Sequence, residues 1–225
     1  MKDGHPLPRI NDILLRQGQY RMWSKLDLVD GYHQMPIREE DRPKTCMSSP
    51  IGTVQWKVLS MGLKNAGSQF QHMMEWVLKD CEEFATAYFD DVLIGSKGDT
   101  VEELVTNHTQ HLVRVLETFE KWQLVCHPKK SFLFHMEVEF CGHILRDGTP
   151  RPAPGKLLPI QGWELPQTIT ELRAFLGLAS YFGEYVKDFA TFASPLTEKL
   201  KVGREEGKRD PRSRWNGTRR ARTLL

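Results

Sequence analysis

The stretch AYFDDVLIGS, Ala87 to Ser96, places two adjacent aspartates between two apolar segments with the composition of β-strands. Successive strand residues point to opposite faces, so Asp90 and Asp91 face one object together only where the chain turns. The stretch therefore predicts a β-hairpin with Tyr88 to Asp91 at its tip. Two neighbouring carboxylates repel each other unless a cation neutralises them, and magnesium is the natural cation. Taken alone, the pair also fits a solvated turn.

A third carboxylate interrupts an earlier apolar segment. The stretch MWSKLDLVDGYHQMPI, Met22 to Ile37, begins as a strand in which Asp27 lies between Leu26 and Leu28, and it reaches a glycine at Gly31. Glycine lets the backbone turn or be approached closely. Asp27 is therefore a candidate partner of the aspartate pair, and the alternative is that it caps the turn that follows it.

Composition limits the class of protein. The chain has 225 residues, of which 40% are hydrophobic, enough for a sizeable core. No apolar run reaches the length of a membrane span, so we expect a cytoplasmic protein without membrane contact. The stretch from Lys201 to Leu225 contains 9 basic and 3 acidic residues, which predicts a basic, disordered tail. No Cys-x-x-Cys pair occurs, which argues against a disulfide framework and a ribbon-type zinc site.

Helices and further strands surround the predicted hairpin. Apolar periodicity predicts a short helix in RINDILLRQ, a helix from Asn65 to Cys81, and a long helix from Val101 to Trp122 whose packed face is Val101, Leu104, Val105, Leu112, Val115, Leu116 and Phe119. TCMSS and TVQWKVLS read as one hairpin, and WQLVCHPKKSFLF and VEFCGHIL as strands. His108 and His111 have metal-like spacing, but packing or surface roles are preferred because a second ligand pair is missing.

The sequence DGTPRPAPG, residues 147–155, marks a boundary. Beyond it, GKLLPIQGW, TITELRAFLGLASYFGEYV and SPLTEKL predict a small bundle of three helices, the second capped by Thr168 or Thr170. We therefore expect residues 1–147 to form the strand-containing part, residues 148–201 a helical part, and residues 202–225 the basic tail.

Seven separated motifs together resemble one family. PLPRI, SKLDLVDGYHQMPI, EEDRPKT, MGLKNA followed by FQ, YFDD, VEFCGHI and ELRAFLGLASYF occur in the order found in reverse transcriptases of gypsy-type LTR retrotransposons. The resemblance spans about Pro6 to Lys201. It implies an α+β, right-hand polymerase fold, in which residues 1–147 are the palm with partial fingers and residues 148–201 are a helical thumb.

The resemblance also implies a catalytic centre. Asp27, Asp90 and Asp91 would hold two Mg²⁺ ions for nucleotidyl transfer to a primer 3′-hydroxyl. This agrees with two-metal chemistry, in which charge is stabilised at both ends of an in-line phosphoryl transfer. Lys130, or its neighbour Lys129, matches the position thought to protonate the leaving pyrophosphate.

Further positions match segments of the family that contact substrate. The backbone of Asp30 and Gly31 would meet the triphosphate, and the ring of Tyr32 would lie beneath the deoxyribose, where it excludes a ribose 2′-hydroxyl. The turn beginning at Asn65, together with Gln71, would support template and nucleotide. The segment with Phe140, Gly142 and His143 resembles the primer grip. The implied partners are an RNA or DNA template with its primer, deoxynucleoside triphosphates, and other parts of a Pol polyprotein.

Two departures from the family leave an alternative function open. LSMGLKNAG replaces the usual MPFGLTNAP, so Ser60, Met61 and Gly67 stand where the family has two prolines and an aromatic. The chain also begins where the family is already under way, so we expect the isolated chain to polymerise poorly. The alternative is therefore an inactive retroelement remnant that at most binds nucleic acid. A hydrolase with paired acid and base is disfavoured because Asp90 and Asp91 are adjacent.

Overall fold

The computed structural model describes residues 6–156, 163 and 165–206. The chain divides into two compact units, Met1–Pro150 and Arg151–Leu225. The division into palm, thumb and tail stays a prediction, and most of the basic tail lies outside the described residues. Within the described part, no helix combines the length and the apolar character that crossing a membrane requires.

Strands and helices alternate along the first unit. In chain order it contains α1 (Ile10–Gln17), β1 (Met22–Asp27), β2 (Met47–Ser49), β3 (Gly52–Val54), α2 (Ala66–Val77), β4 (Ala85–Tyr88), β5 (Asp91–Ser96), α3 (Val101–Lys121), β6 (Phe132–His135), β7 (Glu137–Phe140) and β8 (His143–Arg146). Strand β9 (Thr149–Pro152) follows, and then α4 (Ile169–Tyr181) and α5 (Phe189–Glu206). Short 3₁₀ helices at Gly31–Gln34 and Glu39–Thr45 lie between β1 and β2.

A four-stranded sheet with the order β4-β5-β1-β6 carries the predicted aspartates. All neighbouring strands that pair in it are antiparallel. The pairing of Asp27 with Asp91 ends the β1–β5 ladder, and Tyr88 pairs with Asp91 across the hairpin. The hairpin and strand predictions for this region are therefore confirmed, and all three aspartates lie at one end of the sheet.

The long helix α3 packs on this sheet through a face that matches the predicted one only in part. Thr100 caps its start by accepting a hydrogen bond from the Glu103 amide. Val101, Val105 and Leu116 were predicted to be packed, but they are 75%, 39% and 41% exposed. The predicted Leu104, Leu112, Val115 and Phe119 are buried, and His108 is buried with them.

A histidine takes a core position in α3 because two buried serines face it from the sheet. Ser24 on β1 bonds His108 Nε2 at 2.7 Å, and Ser96 on β5 bonds His108 Nδ1 at 2.8 Å. Ser96 also bonds His111 Nδ1 at 2.8 Å. Burial lowers the pKa of His108 from 6.5 to about 4. This histidine is therefore a neutral, hydrogen-bonded core residue.

The buried His108 predicts acid sensitivity. In the unfolded chain His108 takes up a proton near pH 6.5, whereas in the folded chain it does so only near pH 4. Stability is therefore full above about pH 6.5 and falls as the pH drops towards 4, by about 3 kcal/mol for this group. Urea unfolding between pH 8 and pH 4.5 measures the effect. His108→Gln should flatten the profile and exposed His135→Gln should not; an unchanged profile in His108→Gln would contradict this assignment.

Two predictions around the second unit need correction. Residues 149–152, inside the predicted boundary segment, form β9, which joins β7 and β8 in a three-stranded sheet. SPLTEKL is not a separate short helix but part of α5, which continues through Pro195. Most of GKLLPIQGW lies outside the described residues. The middle helix α4 is confirmed, with a capping box formed by Thr168 and Glu171.

The second unit has a small apolar core of its own. It is formed by α4 and α5, whose buried residues are Leu172, Phe175, Leu176, Ala193 and Leu196. Trp163 packs against this cluster, with its ring centroid 6.0 Å from that of Phe175. Apolar side chains from both helices therefore account for the packing of this unit.

Candidate active site

The tip of the β4–β5 hairpin is a tight turn that is tied to β1. Phe89 has a φ of 53°, in the left-handed region that non-glycine residues seldom adopt. The Leu28 amide donates to the Asp90 carbonyl at 3.1 Å, which joins the turn to the residue after Asp27. The turn and the end of β1 are therefore held together by backbone contacts.

Asp90 has a buried carboxylate oxygen at this end of the sheet. Its Oδ1 atom is buried and accepts no hydrogen bond from the described residues. Burial raises the pKa of Asp90, the neighbouring charges of Asp27 and Asp91 raise it further, and Lys130 opposes them. A buried carboxylate oxygen without a donor is costly unless a proton or a cation neutralises it.

The other two aspartates already have cationic neighbours. Lys25 Nζ lies 3.0 Å from Asp91 Oδ1, and both side chains are largely shielded from solvent. Lys130 Nζ lies 3.8 Å from Asp27 Oδ1, but the Lys130 side chain is 64% exposed. Asp91 therefore has the closer and better shielded counter-charge.

The predicted three-aspartate metal site is not preformed. Among the described residues, no group of three histidine, cysteine, aspartate or glutamate side chains is placed to hold a metal ion. The ion pair with Lys25 engages Asp91, whereas the buried Asp90 Oδ1 has no hydrogen-bond partner among the described residues. The two carboxylates that remain as a candidate metal pair are those of Asp27 and Asp90.

Gln71 was predicted to support template and nucleotide, but its side chain faces the protein interior. Its side chain is fully buried on α2. Gln71 Oε1 accepts from the Phe89 amide at 2.9 Å, and its Nε2 donates at 2.9 Å to both the Ala87 carbonyl and Glu75 Oε1. Because all these partners belong to the protein, Gln71 supports the hairpin tip from below.

Gln71 should therefore matter for folding and for the geometry of the turn. Gln71→Met keeps the approximate shape but leaves the Phe89 amide and the Ala87 carbonyl without their partner, which should lower the free energy of unfolding by about 2 kcal/mol. The exposed Gln69→Met is the matched control. Urea unfolding of both variants measures the difference, and equal stability of the two would contradict the bracing role.

The loop after β1 has a conformation that brings it close to Asp90. Asp30 has a left-handed φ of 46°, and Gly31 begins a 3₁₀ helix. A Cβ atom at Gly31 would lie only 2.6 Å from Asp90 Oδ1. Any side chain at position 31 therefore displaces the buried carboxylate, which accounts for glycine here.

The ring of Tyr32 is positioned by α2. It stacks on Phe70 with centroids 5.0 Å apart and an interplanar angle of 29°. A Cβ atom at Gly67 would lie 3.7 Å from the Tyr32 hydroxyl and 3.2 Å from the Phe89 ring, so this part of α2 lies beside both aromatic residues. Asn65 is the half-buried residue immediately before α2. Tyr32 and Asn65 thus both lie at the N-terminal part of α2, and their substrate contacts stay predictions.

The segment predicted to be a primer grip is the β7–β8 hairpin. Cys141 and Gly142 form its turn with φ values of 49° and 75°. Phe140 and His143 are 0% and 1% exposed, so neither side chain is free to contact a substrate directly. The primer-grip assignment of this segment stays a prediction, in which contact would come from the Cys141–Gly142 turn.

Lys25 is a site residue that sequence reasoning missed. It lies two residues before Asp27, and residues two apart on a strand share a face. That spacing was the available signal for an ion pair at this end of the sheet. The spacing does not identify Asp91 as the partner of Lys25, because the β1–β5 register depends on tertiary pairing.

Comparison with known proteins places this geometry in a family. The model of the family described as "Reverse transcriptase (RNA-dependent DNA polymerase)" matches residues 1–145. The chain belongs to the reverse transcriptase family. The chain is 36% identical over 201 residues to the Retrovirus-related Pol polyprotein from transposon gypsy of Drosophila melanogaster, and 31% identical over 202 residues to the Enzymatic polyprotein of Figwort mosaic virus.

These relatives are much longer than the reverse transcriptase segment described here. The matched region covers 88% of this chain in both cases, but only 19% of the gypsy polyprotein and 29% of the viral one. The chain therefore corresponds to one segment of each relative.

Solved structures confirm the predicted right-hand polymerase fold. A foamy viral protease-reverse transcriptase in complex with double-stranded DNA superimposes with a TM-score of 0.85 at 21% identity, covering 100% of this chain and 37% of that one. A foamy viral protease-reverse transcriptase in complex with an RNA/DNA hybrid gives a TM-score of 0.78 at 21% identity, covering 99% and 28%. At these identities the likeness establishes the fold alone.

Proposed function

We propose that this chain carries the nucleotide-adding centre of an RNA-directed DNA polymerase. The observation that carries the proposal is the Asp90 carboxylate, whose buried Oδ1 accepts no hydrogen bond from the described residues and whose pKa is raised by burial and by Asp27 and Asp91. Membership of the reverse transcriptase family supports this reaction over other uses of paired carboxylates.

The donor set fits divalent magnesium. Asp27 and Asp90 supply hard carboxylate oxygens, and the unpartnered Oδ1 of Asp90 is an atom that a cation would satisfy. Asp91 is paired with Lys25 through Oδ1, which makes it the conditional member of the predicted set. When bound, two magnesium ions lower the pKa of a primer 3′-hydroxyl and stabilise charge on a triphosphate.

The remaining residues have positioning and proton-transfer roles in this proposal. The backbone of Asp30 and Gly31 orients the triphosphate, and Tyr32 contacts the deoxyribose. Lys130, with its ammonium 3.8 Å from the Asp27 carboxylate, delivers a proton to the leaving pyrophosphate. The partners are a primed RNA or DNA template, deoxynucleoside triphosphates and further parts of a cytoplasmic Pol polyprotein. The alternative of an inactive remnant is not favoured, because all three aspartates are present at one end of the sheet.

Primer extension tests the proposal. The protein is prepared as its gene encodes it, with any sequence that flanks residues 1–225, and is mixed with a DNA primer on an RNA template, Mg²⁺ and the four deoxynucleotides. We expect template-directed extension that stops when the metal is chelated. A folded protein that binds this primer–template and adds no nucleotide would contradict the proposal.

A further inference from the structure

The side chain of Gln34 joins two backbone segments next to the candidate active site. Its Nε2 donates to the Val29 carbonyl at 2.5 Å and to the Val125 carbonyl at 2.9 Å. Its Oε1 accepts from the Val125 amide at 2.7 Å. One amide group therefore bonds both backbone polar groups of Val125, much as a paired strand would.

These hydrogen bonds lie beyond the end of β1, where the pairing with β5 has stopped. The β1–β5 ladder ends at Asp27, and the next residues are paired instead with the segment that follows α3. Leu28 forms an isolated bridge with Cys126, the Val29 amide donates to the Val125 carbonyl at 2.9 Å, and the His127 amide donates to the Asp27 carbonyl at 2.7 Å. Gln34 completes this short, irregular ladder.

Each of the two joined segments leads to a different part of the site. From Val29 the chain continues into Asp30, Gly31 and Tyr32, the loop that lies against Asp90. From Val125 it continues to Lys130, whose ammonium is 3.8 Å from the Asp27 carboxylate. A shift of one segment against the other therefore changes the distance between the Asp30–Tyr32 loop and Lys130.

We propose that Gln34 is a positioning residue for nucleotide addition, which sets the Asp30–Tyr32 loop relative to the Asp27–Lys130 pair. This inference rests on the proposed function, because it assigns the loop to the incoming nucleotide. The loop needs such support because Asp30 adopts a left-handed conformation that an unrestrained chain seldom populates.

Only an amide satisfies all three partners of Gln34. Two carbonyls require a donor and the Val125 amide requires an acceptor, and a glutamine side chain offers both. Gln34→Glu keeps the length and the acceptor but turns a charged oxygen towards two carbonyls. Gln34→Met keeps the length and removes both functions. These two variants therefore separate loss of the donor from loss of all three Gln34 hydrogen bonds, which together we call the clamp. The exposed Gln110→Glu is the matched control for a charge change elsewhere.

The experiment measures single-nucleotide addition and amide hydrogen exchange on the same protein used for primer extension. Both Gln34 variants should raise the KM for the deoxynucleotide by about tenfold, with a smaller change in kcat and unchanged affinity for primer–template. Exchange of the Val29 amide should become faster in both variants, whereas exchange of the Val125 amide should become faster only in Gln34→Met, because Gln34→Glu keeps its acceptor. Gln110→Glu should match the wild type in every measurement.

The outcomes separate this inference from the proposed function. If the wild type extends primers and the Gln34 variants keep its KM, the positioning role is overturned, whether or not the two amides exchange faster. Slow, wild-type exchange of Val125 in Gln34→Met overturns the clamp itself. A wild type that binds primer–template but adds no nucleotide overturns the proposed function and this role with it, and exchange at Val125 then still reports whether the clamp exists.

Discussion

Replacement of Asp90 by Asn is expected to slow nucleotide addition by about a thousandfold or more while leaving the fold intact. Asparagine has nearly the same shape but lacks the charge that a bound cation requires. Because the Asp90 carboxylate is buried and close to Asp27 and Asp91, its negative charge opposes folding in the absence of metal. The variant should therefore be at least as stable as the wild type when no divalent ion is present.

Slow nucleotide addition together with undiminished stability distinguishes a catalytic role of Asp90 from a structural one. Single-turnover primer extension measures the rate, urea unfolding in a chelating buffer measures stability, and a filter-binding assay measures primer–template affinity. The exposed Asp99→Asn serves as the control for loss of one carboxylate and should retain wild-type extension. Loss of stability in Asp90→Asn together with loss of activity would point to misfolding, and near-normal extension would remove Asp90 from the catalytic centre.

Replacement of Tyr32 by Val is expected to admit ribonucleotides, lowering the preference for deoxyribonucleotides by about a hundredfold. The Tyr32 ring is held by its stacking on Phe70 and lies beside Gly67, so its position is fixed. A ring fixed beneath the sugar excludes the ribose 2′-hydroxyl by steric clash. Valine is too short to provide that contact.

The control for this prediction is Tyr32→Phe, which removes only the hydroxyl and keeps the ring. It should preserve the sugar preference, because the proposed exclusion is by the ring. The ratio of kcat/KM for matched deoxy- and ribonucleotides, measured on one primer–template, reports the effect. Equal ratios in Tyr32→Val and wild type would make Tyr32 a core residue without a role in sugar selection.

Sequence periodicity was sufficient for most of the fold. The aspartate hairpin, β1, α2, α3 and α4 all follow from alternation or helical spacing of apolar residues, which depend on local sequence alone. The approach of Asp27 to the hairpin was a hypothesis from its place in a strand and from the family resemblance. It is confirmed, because Asp27 pairs with Asp91 in the β1–β5 ladder.

Two polar side chains could not be placed from the sequence, because their partners are distant in it. Gln71 resembles a surface amide until the Phe89 amide and the Ala87 carbonyl are found above it. His108 resembles a surface histidine until two serines from different strands are found against it. Tertiary contacts of this kind are not encoded in spacing.

Manganese binding followed by electron paramagnetic resonance tests the central claim, that the Asp27 and Asp90 carboxylates together bind the divalent ion used for nucleotide addition. The titration compares the wild type with Asp27→Asn, Asp90→Asn and Asp99→Asn, each with a chain-terminated primer on its template and the next deoxynucleotide present. The account predicts that Asp99→Asn binds Mn²⁺ like the wild type and that the other two lose at least about tenfold in affinity. Wild-type Mn²⁺ affinity in both Asp27→Asn and Asp90→Asn would contradict it.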